Sequence, residues 1–415
     1  MTLFLQLAFL LSIILFSAKM AGYISIRFGQ PSVLGELLVG ILLGPTIINL
    51  FDLPFIEHEL TETVTKLGEL GVLLLMFLAG LELHLGEMRQ NMRVAAFAGL
   101  MGVVAPVLLG WGTGLLFGFN QPASIFLGLT LGATSVSISA QTLIELKVLR
   151  SRVGLSLLGA AVFDDILIIL LLSVFLALQG GAGSTGDVLI ILLRMILFLV
   201  ASVLFGLWAL PWIIRRVSHL PISQGLLTMS LVIMLAYGIA SEAFGGMAAI
   251  TGAFLAGLML ARTPEKERIE AGVHALAYGL FVPVFFVNIG LSINLRDFKA
   301  EALWLTITVI VVAIAGKWIG SGWGAKIGGL TTTEATQLGA GMISRGEVGL
   351  IVASVGMRQG LVVDAEFSAI VVMIVVTTLI TPPILRGLFM REKAKKPVVQ
   401  TMQTPDEKNN ESEAS

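Results

Sequence analysis

The sequence predicts an all-α polytopic membrane protein with about 13 transmembrane helices, built as an inverted-topology repeat with two crossed discontinuous helices. Three observations predict this fold class. First, 56% of the 415 residues are hydrophobic and only 13% are charged, about half the charged fraction of a soluble domain. Second, windows of roughly 20 apolar residues, the length that spans a bilayer, recur along the chain. Third, the two halves of the chain share similarly spaced glycines and serines.

The candidate spans alternate in direction and set the predicted orientation. Thirteen windows cover residues 3–19, 33–50, 64–83, 93–118, 122–146, 152–178, 187–213, 223–243, 246–262, 275–293, 301–326, 336–358 and 366–390. The first has no basic region before it, and Lys19 follows it, so we interpret it as a retained helix rather than a signal peptide. Most loop Lys and Arg residues fall on the side of the C-terminus. The positive-inside rule therefore predicts a cytoplasmic C-terminus and an external N-terminus.

Three pairs of predicted helices share a pattern. The matching residues are Gly35 and Gly40 with Gly252 and Gly257, Gly80 with Gly290, and Gly132 and Ser135 with Gly341 and Ser344. Each second helix comes seven helices after the first. Because seven is odd, the two halves run in opposite directions, as in the inverted repeats of many secondary transporters. For any single pair, chance similarity between glycine-rich helices is the alternative.

Three of the ionisable residues inside predicted spans form a candidate site. Asp164 and Asp165 lie midway along predicted helix 6, and Lys317 lies past the middle of predicted helix 11. A charge at the bilayer centre costs about 2.5–3.5 kcal/mol on insertion scales, so such residues are paired or functional. If the repeats pack about a pseudo-two-fold axis, helices 6 and 11 meet, and Asp164 and Lys317 form an ion pair. The alternative is that Lys317 extends to the membrane interface.

Predicted helices 5 and 12 each contain a stretch that favours a break. Gly346 and Gly349 weaken one of them, and the other is rich in hydroxyl groups. We expect two discontinuous helices that cross near the membrane midplane, where half-helix dipole ends need polar partners. The expected supporting groups at the breaks are Thr134, Ser135, Ser137, Ser344, Arg345 and Glu347. Of these, Arg345 and Glu347 are expected to be architectural rather than ion ligands.

Composition also excludes several function classes. The chain has no cysteine, which excludes disulfides and thiolate chemistry. Its net charge is −1, so it lacks the excess of positive charge that is typical of nucleic-acid-binding proteins. Zinc-protease and P-loop motifs are missing from the sequence. We therefore expect no enzymatic activity and no cofactor.

The motifs resemble those of the cation:proton antiporter-2 family, and within it the bacterial NapA-type sodium/proton antiporters. The matching stretches are QPSVLGELLVGILLGP (30–45), LGVLLLMFLAGLEL in helix 3, ATSVSISAQTL (133–143), AAVFDDILIILLLS (160–173), FVPVFFVNIGLSINL (281–295) and GMISRGEVGLIVASVG (341–356). The double aspartate with a lysine on helix 11 is the specific part. The resemblance implies an NhaA/NapA-like homodimer in the lipid bilayer, expected in the inner (plasma) membrane of a bacterium.

The resemblance also divides the chain. It implies a dimerisation domain in residues 1–92 and 219–297, an ion-translocating core in 93–180 and 298–391, and a linker helix in 181–218. The polar composition of residues 392–415 predicts a disordered cytoplasmic tail. In the family the second aspartate of the pair, here Asp165, is the main cation carboxylate, and the first, Asp164, pairs with Lys317.

The predicted function is monovalent cation/proton antiport, with Na⁺ held by Asp165 and Asp164 and exchange of Na⁺ or Li⁺ for H⁺ that moves net charge. The nearest alternative is a potassium/proton antiporter on the same scaffold. A sodium-coupled symporter of an organic anion would need a roomier site with more polar ligands than helices 5, 6 and 12 offer. An ion channel fits less well, because two acids paired to a lysine suit alternating binding of ions and protons.

Overall fold

The computed structural model describes residues 1–57, 59–83, 85–180, 185–219, 221–294, 296, 302–346, 349, 352–353, 356–357 and 360–395. In these ranges the regular elements are all helices. Ten of the described helical segments are long and apolar enough to cross a membrane. The apolar face of such helices is stable only in lipid or against other helices, so the chain is an integral membrane protein.

The helices are numbered in chain order. They are α1 (Leu3–Arg27), α2 (Ser32–Leu43), α3 (Glu59–Leu81), α4 (Leu85–Leu116), α5 (Gln121–Gly132), α6 (Val136–Glu145), α7 (Arg152–Gly180), α8 (Thr185–Ser218), α9 (Gly225–Ala240), α10 (Ala249–Leu260), α11 (Lys266–Leu276), α12 (Val282–Leu291), α13 (Leu303–Gly328), α14 (Thr332–Gly341) and α15 (Asp364–Lys395). Helix α15 continues into the first residues of the predicted tail, and residues 396–415 lie outside the described part of the chain.

Several predicted windows contain an interruption. Window 122–146 holds two helices, α5 and α6, separated by extended backbone at Ala133 and Ser135. In window 336–358, α14 ends at Gly341 and non-helical backbone follows. Window 275–293 holds the end of α11, a π-helical turn and α12, with Pro283 in the first turn of α12. Proline, which lacks the N–H, directly follows the π-helical turn, where the regular α-helical hydrogen bonding is already interrupted.

Most of the helices pack in two groups. Helix α4 lies along α13, α7 and α5, and α13 also contacts α14 and α15; we call α4–α7 with α13–α15 the α4 bundle. Helix α3 lies against α10 and α12, and α2 against α1 and α12; we call α1–α3 with α9–α12 the α3 bundle. Helix α8 contacts helices of both bundles. The ion-carrying and dimerising roles assigned to these parts of the chain stay predictions.

Glycines make the closest contacts in the α3 bundle. Gly40 of α2 faces Gly290 of α12, and Gly80 of α3 faces Gly257 of α10; a Cβ at any of the four would overlap the backbone of the facing helix. Under the predicted repeat, α2 corresponds to α10 and α3 to α12, so each of these contacts is the counterpart of the other. The repeat-related glycines thus make equivalent contacts in the two halves of the bundle.

Candidate functional site

The break between α5 and α6 is joined to the break after α14. The backbone N–H of Ser135 donates to the carbonyl of Ser344 at 2.9 Å. In return, the hydroxyl of Ser344 donates to the carbonyl of Ser135 at 2.6 Å. Ser139, one turn into α6, donates to the carbonyl of Gly341 at 2.5 Å. Because helix ends leave carbonyls and amides without partners, each break supplies the hydrogen bonds that the other lacks.

Arg345 fills the space between the broken helices. Its side chain is fully buried. The guanidinium donates to the carbonyls of Leu131 (2.8 Å) and Ile343 (2.6 Å), and at longer distance to those of Met342 and Ala313 (3.2 Å each). Leu131 belongs to the last turn of α5, and Met342 and Ile343 directly follow α14. The guanidinium therefore lies where it can neutralise the negative dipole ends of two half-helices; its architectural role stays a prediction.

Asp164 and Lys317 form a buried ion pair. Lys317 Nζ lies 2.5 Å from Asp164 Oδ1, and both side chains are fully shielded from solvent. The two residues come from α7 and α13, which both pack on α4. Gly102 of α4 packs against α13 beside this pair: a Cβ there would overlap the hydroxyl of Ser321 and would lie at an ordinary contact distance, 3.8 Å, from Lys317 Nζ. The ion pair predicted from the two helices is therefore present.

Asp165, the neighbouring acid, lines a cavity and also acts electrostatically on Lys317. The Asp165 side chain is 6% exposed and lines a small cavity of about 10 Å³, roughly the room of one water molecule, between the two bundles. The cavity wall includes Val136, the first residue of α6, and Ile250 and Phe254 of α10. The two adjacent acids thus face different surroundings, one an amine in the protein interior and the other a cavity.

Two polar atoms beside the ion pair are buried without a hydrogen bond of ordinary length among the described residues. They are Oδ2 of Asp164 and the hydroxyl of Thr134 in the α5–α6 break, and the side chains of Thr134 and Asp164 interact with each other. Buried oxygens whose hydrogen bonding is incomplete cost free energy, so such a site is suited to a cation or a proton. No cluster of three or more His, Cys, Asp or Glu side chains within the described ranges could hold a resident metal ion.

The remaining predicted groups are distributed around the break. Ser135 and Ser137 are buried, and their hydroxyls lie 3.1 Å apart. Glu347 lies outside the described residues. Sequence reasoning did not identify Ser139 or Thr378, whose hydroxyl donates to the carbonyl of Arg345. Ser139 continues the alternation of hydroxyls at Ser135 and Ser137, a signal that was present in the sequence.

Comparison with known proteins identifies the family. The chain matches the family described as sodium/hydrogen exchanger, transmembrane, over residues 12–391. The chain belongs to the sodium/hydrogen exchanger family. It is 41% identical over 391 residues to the Na(+)/H(+)-K(+) antiporter GerN of Bacillus cereus, which covers 94% of this chain and 98% of that protein. It is 36% identical over 378 residues to a Na(+)/H(+) antiporter of Enterococcus hirae, covering 91% and 96% of the two chains.

A solved structure shares the fold. The sodium proton antiporter MjNhaP1 from Methanocaldococcus jannaschii superposes with a TM-score of 0.70 at 14% identity, covering 95% of this chain and 99% of that one. Together, the family and its relatives make this chain a membrane transporter that exchanges cations for protons, and not an enzyme. The predicted antiport is confirmed at this level.

Proposed function

We propose that this member of the exchanger family is an electrogenic Na⁺(Li⁺)/H⁺ antiporter of the NapA type, within the cation:proton antiporter-2 family. The proposed site comprises Asp165, Asp164 and Lys317. One observation carries the proposal: the buried ion pair of Asp164 with Lys317 lies next to a second carboxylate, Asp165, that faces a cavity. A structural ion pair alone would not need the second acid at membrane depth.

The proposed mechanism is competition between protons and a cation. In the proton-loaded state, Asp165 carries a proton and Lys317⁺ pairs with Asp164⁻. Sodium is a hard cation that prefers carboxylate and hydroxyl oxygens. Its binding by Asp165 and Asp164 releases the Asp165 proton and takes Asp164 from Lys317, which gives up its own proton. Two protons then leave for each sodium that enters, so one net charge moves per cycle.

The proposed architecture explains how the fold would carry the site across the membrane. We infer thirteen spans, with the two broken helices crossing at the contact of Ser135 with Ser344. The α4 bundle would move against a dimerising α3 bundle and present the site alternately to each side of the membrane. The N-terminus would lie outside and the C-terminus in the cytoplasm, in the inner (plasma) membrane of a bacterium. The hydrogen bonds between Ser135 and Ser344 link the two breaks, which supports their movement as one unit.

The proposal is tested in proteoliposomes that hold a pH-gradient dye. Sodium or lithium added to the wild type should dissipate the gradient, and Asp165→Asn should remove this response because no ionisable carboxylate faces the cavity. Lys317→Gln should keep exchange but lose its response to an imposed membrane potential, because one proton carrier is gone. Sodium-driven exchange in the Asp165 variant would remove Asp165 from the site. Unchanged charge movement in the Lys317 variant would defeat the role of the lysine.

A second candidate, potassium/proton exchange, is favoured by one relative. GerN is named as a Na(+)/H(+)-K(+) antiporter and is 41% identical to this chain. The same assay distinguishes the candidates when sodium, lithium and potassium are added in turn. A response to potassium at concentrations where sodium acts would favour this second function.

A further inference from the structure

The cavity next to Asp165 is closed on one side by the α3 bundle. Besides Asp165, one polar side chain lines it among the described residues, Thr251 of α10; the other lining side chains are apolar. Thr251 is only 3% exposed, so its surface is turned inward rather than toward lipid. The two oxygen-bearing groups of this cavity therefore come from different bundles.

The position of Thr251 in its helix leaves its hydroxyl available. Buried threonines here usually bond the carbonyl four residues earlier, as Thr130 and Thr142 do. Helix α10 begins at Ala249, so the residue four before Thr251 is Met247, which precedes the helix. In the described part of the chain, the hydrogen bond of Thr251 is made by its backbone N–H, to the carbonyl of Ala248 at 3.0 Å.

We propose that the Thr251 hydroxyl is a cation ligand and a specificity-determining group of the site, acting across the cavity from Asp165. This inference rests on the proposed function, and it adds a contribution from the α3 bundle to a site otherwise built by the α4 bundle. A hydroxyl oxygen in an otherwise apolar cavity replaces water lost by a cation that binds at Asp165, since a buried charge needs every available oxygen partner. The Thr251 hydroxyl would reach the cation only while the α3 and α4 bundles are in contact at this cavity, as they are in this structure.

The test compares Thr251→Val, which removes the hydroxyl at nearly constant shape, with Thr251→Ser, which keeps the hydroxyl. Ile233→Val, a buried apolar change in α9 of the same bundle but outside the cavity, is the matched control. The measurements are the half-saturating sodium concentration, the maximal rate and the ratio of sodium to potassium response in proteoliposomes. In Thr251→Val we expect half-saturation to rise about fivefold or more, with a lower sodium preference. The serine variant and the control should stay within about twofold of wild type.

Two results would overturn the inference: wild-type half-saturation in Thr251→Val, or an equal rise in Thr251→Ser, which would assign the effect to packing. If the valine protein is not monodisperse, Thr251→Ala is judged by the same criteria. Asp165→Asn in the same series separates this inference from the proposed function. If Asp165→Asn loses exchange and Thr251→Val keeps the wild-type half-saturating sodium concentration, only the role of Thr251 is defeated. Retained exchange in the Asp165 variant defeats the proposed site itself.

Discussion

The guanidinium of Arg345 holds together carbonyls from three helical segments, and a lysine cannot replace it. Arginine offers five donors in a planar fork, whereas lysine offers three from a single point. We expect Arg345→Lys to leave some of the carbonyls at Leu131, Ile343 and Ala313 without a donor. Each such buried acceptor costs about 1–3 kcal/mol. The melting temperature of the purified protein should fall clearly, and the exchange rate with it.

Arg296 provides the matched control for this prediction. It also donates to two carbonyls, those of Thr46 (3.0 Å) and Ile47 (2.8 Å), but it is exposed. Water can replace its hydrogen bonds, so Arg296→Lys should change the melting temperature little. Equal losses in both variants would show that the deep burial of Arg345 is not what matters.

Residue-scale features differed in how far they could be predicted. Ionisable residues in apolar helices are conspicuous because of their transfer cost, so Asp164, Asp165 and Lys317 stand out in the sequence. The pairing of Asp164 with Lys317 was predicted, but the residues that surround Asp165 depend on how α7 is rotated against its neighbours and could not be. The partners of Arg345 were not predictable for a related reason. They are backbone carbonyls, and because every residue has one, the sequence does not show which of them bind Arg345.

At the scale of elements, helix spacing in the α3 bundle depends on small residues. Gly80→Ala should force α3 away from the carbonyl of Phe254 in α10. Overpacking of this kind costs about 1–3 kcal/mol, which exceeds the gain of about 0.5–1 kcal/mol from replacing a helical glycine. We expect a lower melting temperature in detergent. Gly112→Ala in α4 meets open space and should be neutral or stabilising; a loss there as large as at Gly80 would contradict the argument.

Helix existence was predictable at this scale, because a span needs a long apolar window whatever its neighbours are. The residues at which helices end were harder to predict. The window 33–50 ends as a helix at Leu43, since the apolar residues after Gly44 form a turn that hydropathy cannot distinguish from helix. The break at Ala133–Ser135 was predictable from its hydroxyls. The hydrogen bond that joins this break to Ser344 links residues more than 200 positions apart in the chain. Only the repeat pattern in the sequence suggests that the two breaks meet.

On the scale of the whole molecule, polar contacts at the end of α6 join the two bundles. The carboxylate of Glu145 accepts the backbone N–H (2.7 Å) and the hydroxyl (2.5 Å) of Ser32, the first residue of α2. Pro31 precedes that helix and has no side chain able to cap it. One turn earlier in α6, Gln141 accepts a hydrogen bond from Tyr278 at 2.7 Å. Any sliding of α6 past the α3 bundle has to break these hydrogen bonds.

Glu145→Ala should therefore loosen the contact of the bundles at this end. Because the chain has no cysteine, a single cysteine at Ala140, which is fully buried in α6, can report the opening. We expect its labelling by a water-soluble maleimide to become several-fold faster. Glu334→Ala is the control, since Glu334 caps α14 within the α4 bundle. Similar labelling rates in the two backgrounds would show that Glu145 does not restrain the bundles.

The hydrogen bond from the Ser135 amide to the Ser344 carbonyl has a consequence for deuterium uptake. An amide exchanges only when its acceptor departs and water arrives. If the joined breaks stay intact through every turnover, this one proton should remain protected even while sodium and acid drive the exchanger at full speed. A burst of isotope incorporation at Ser135 during turnover would mean that the two halves of the repeat separate each time an ion is carried.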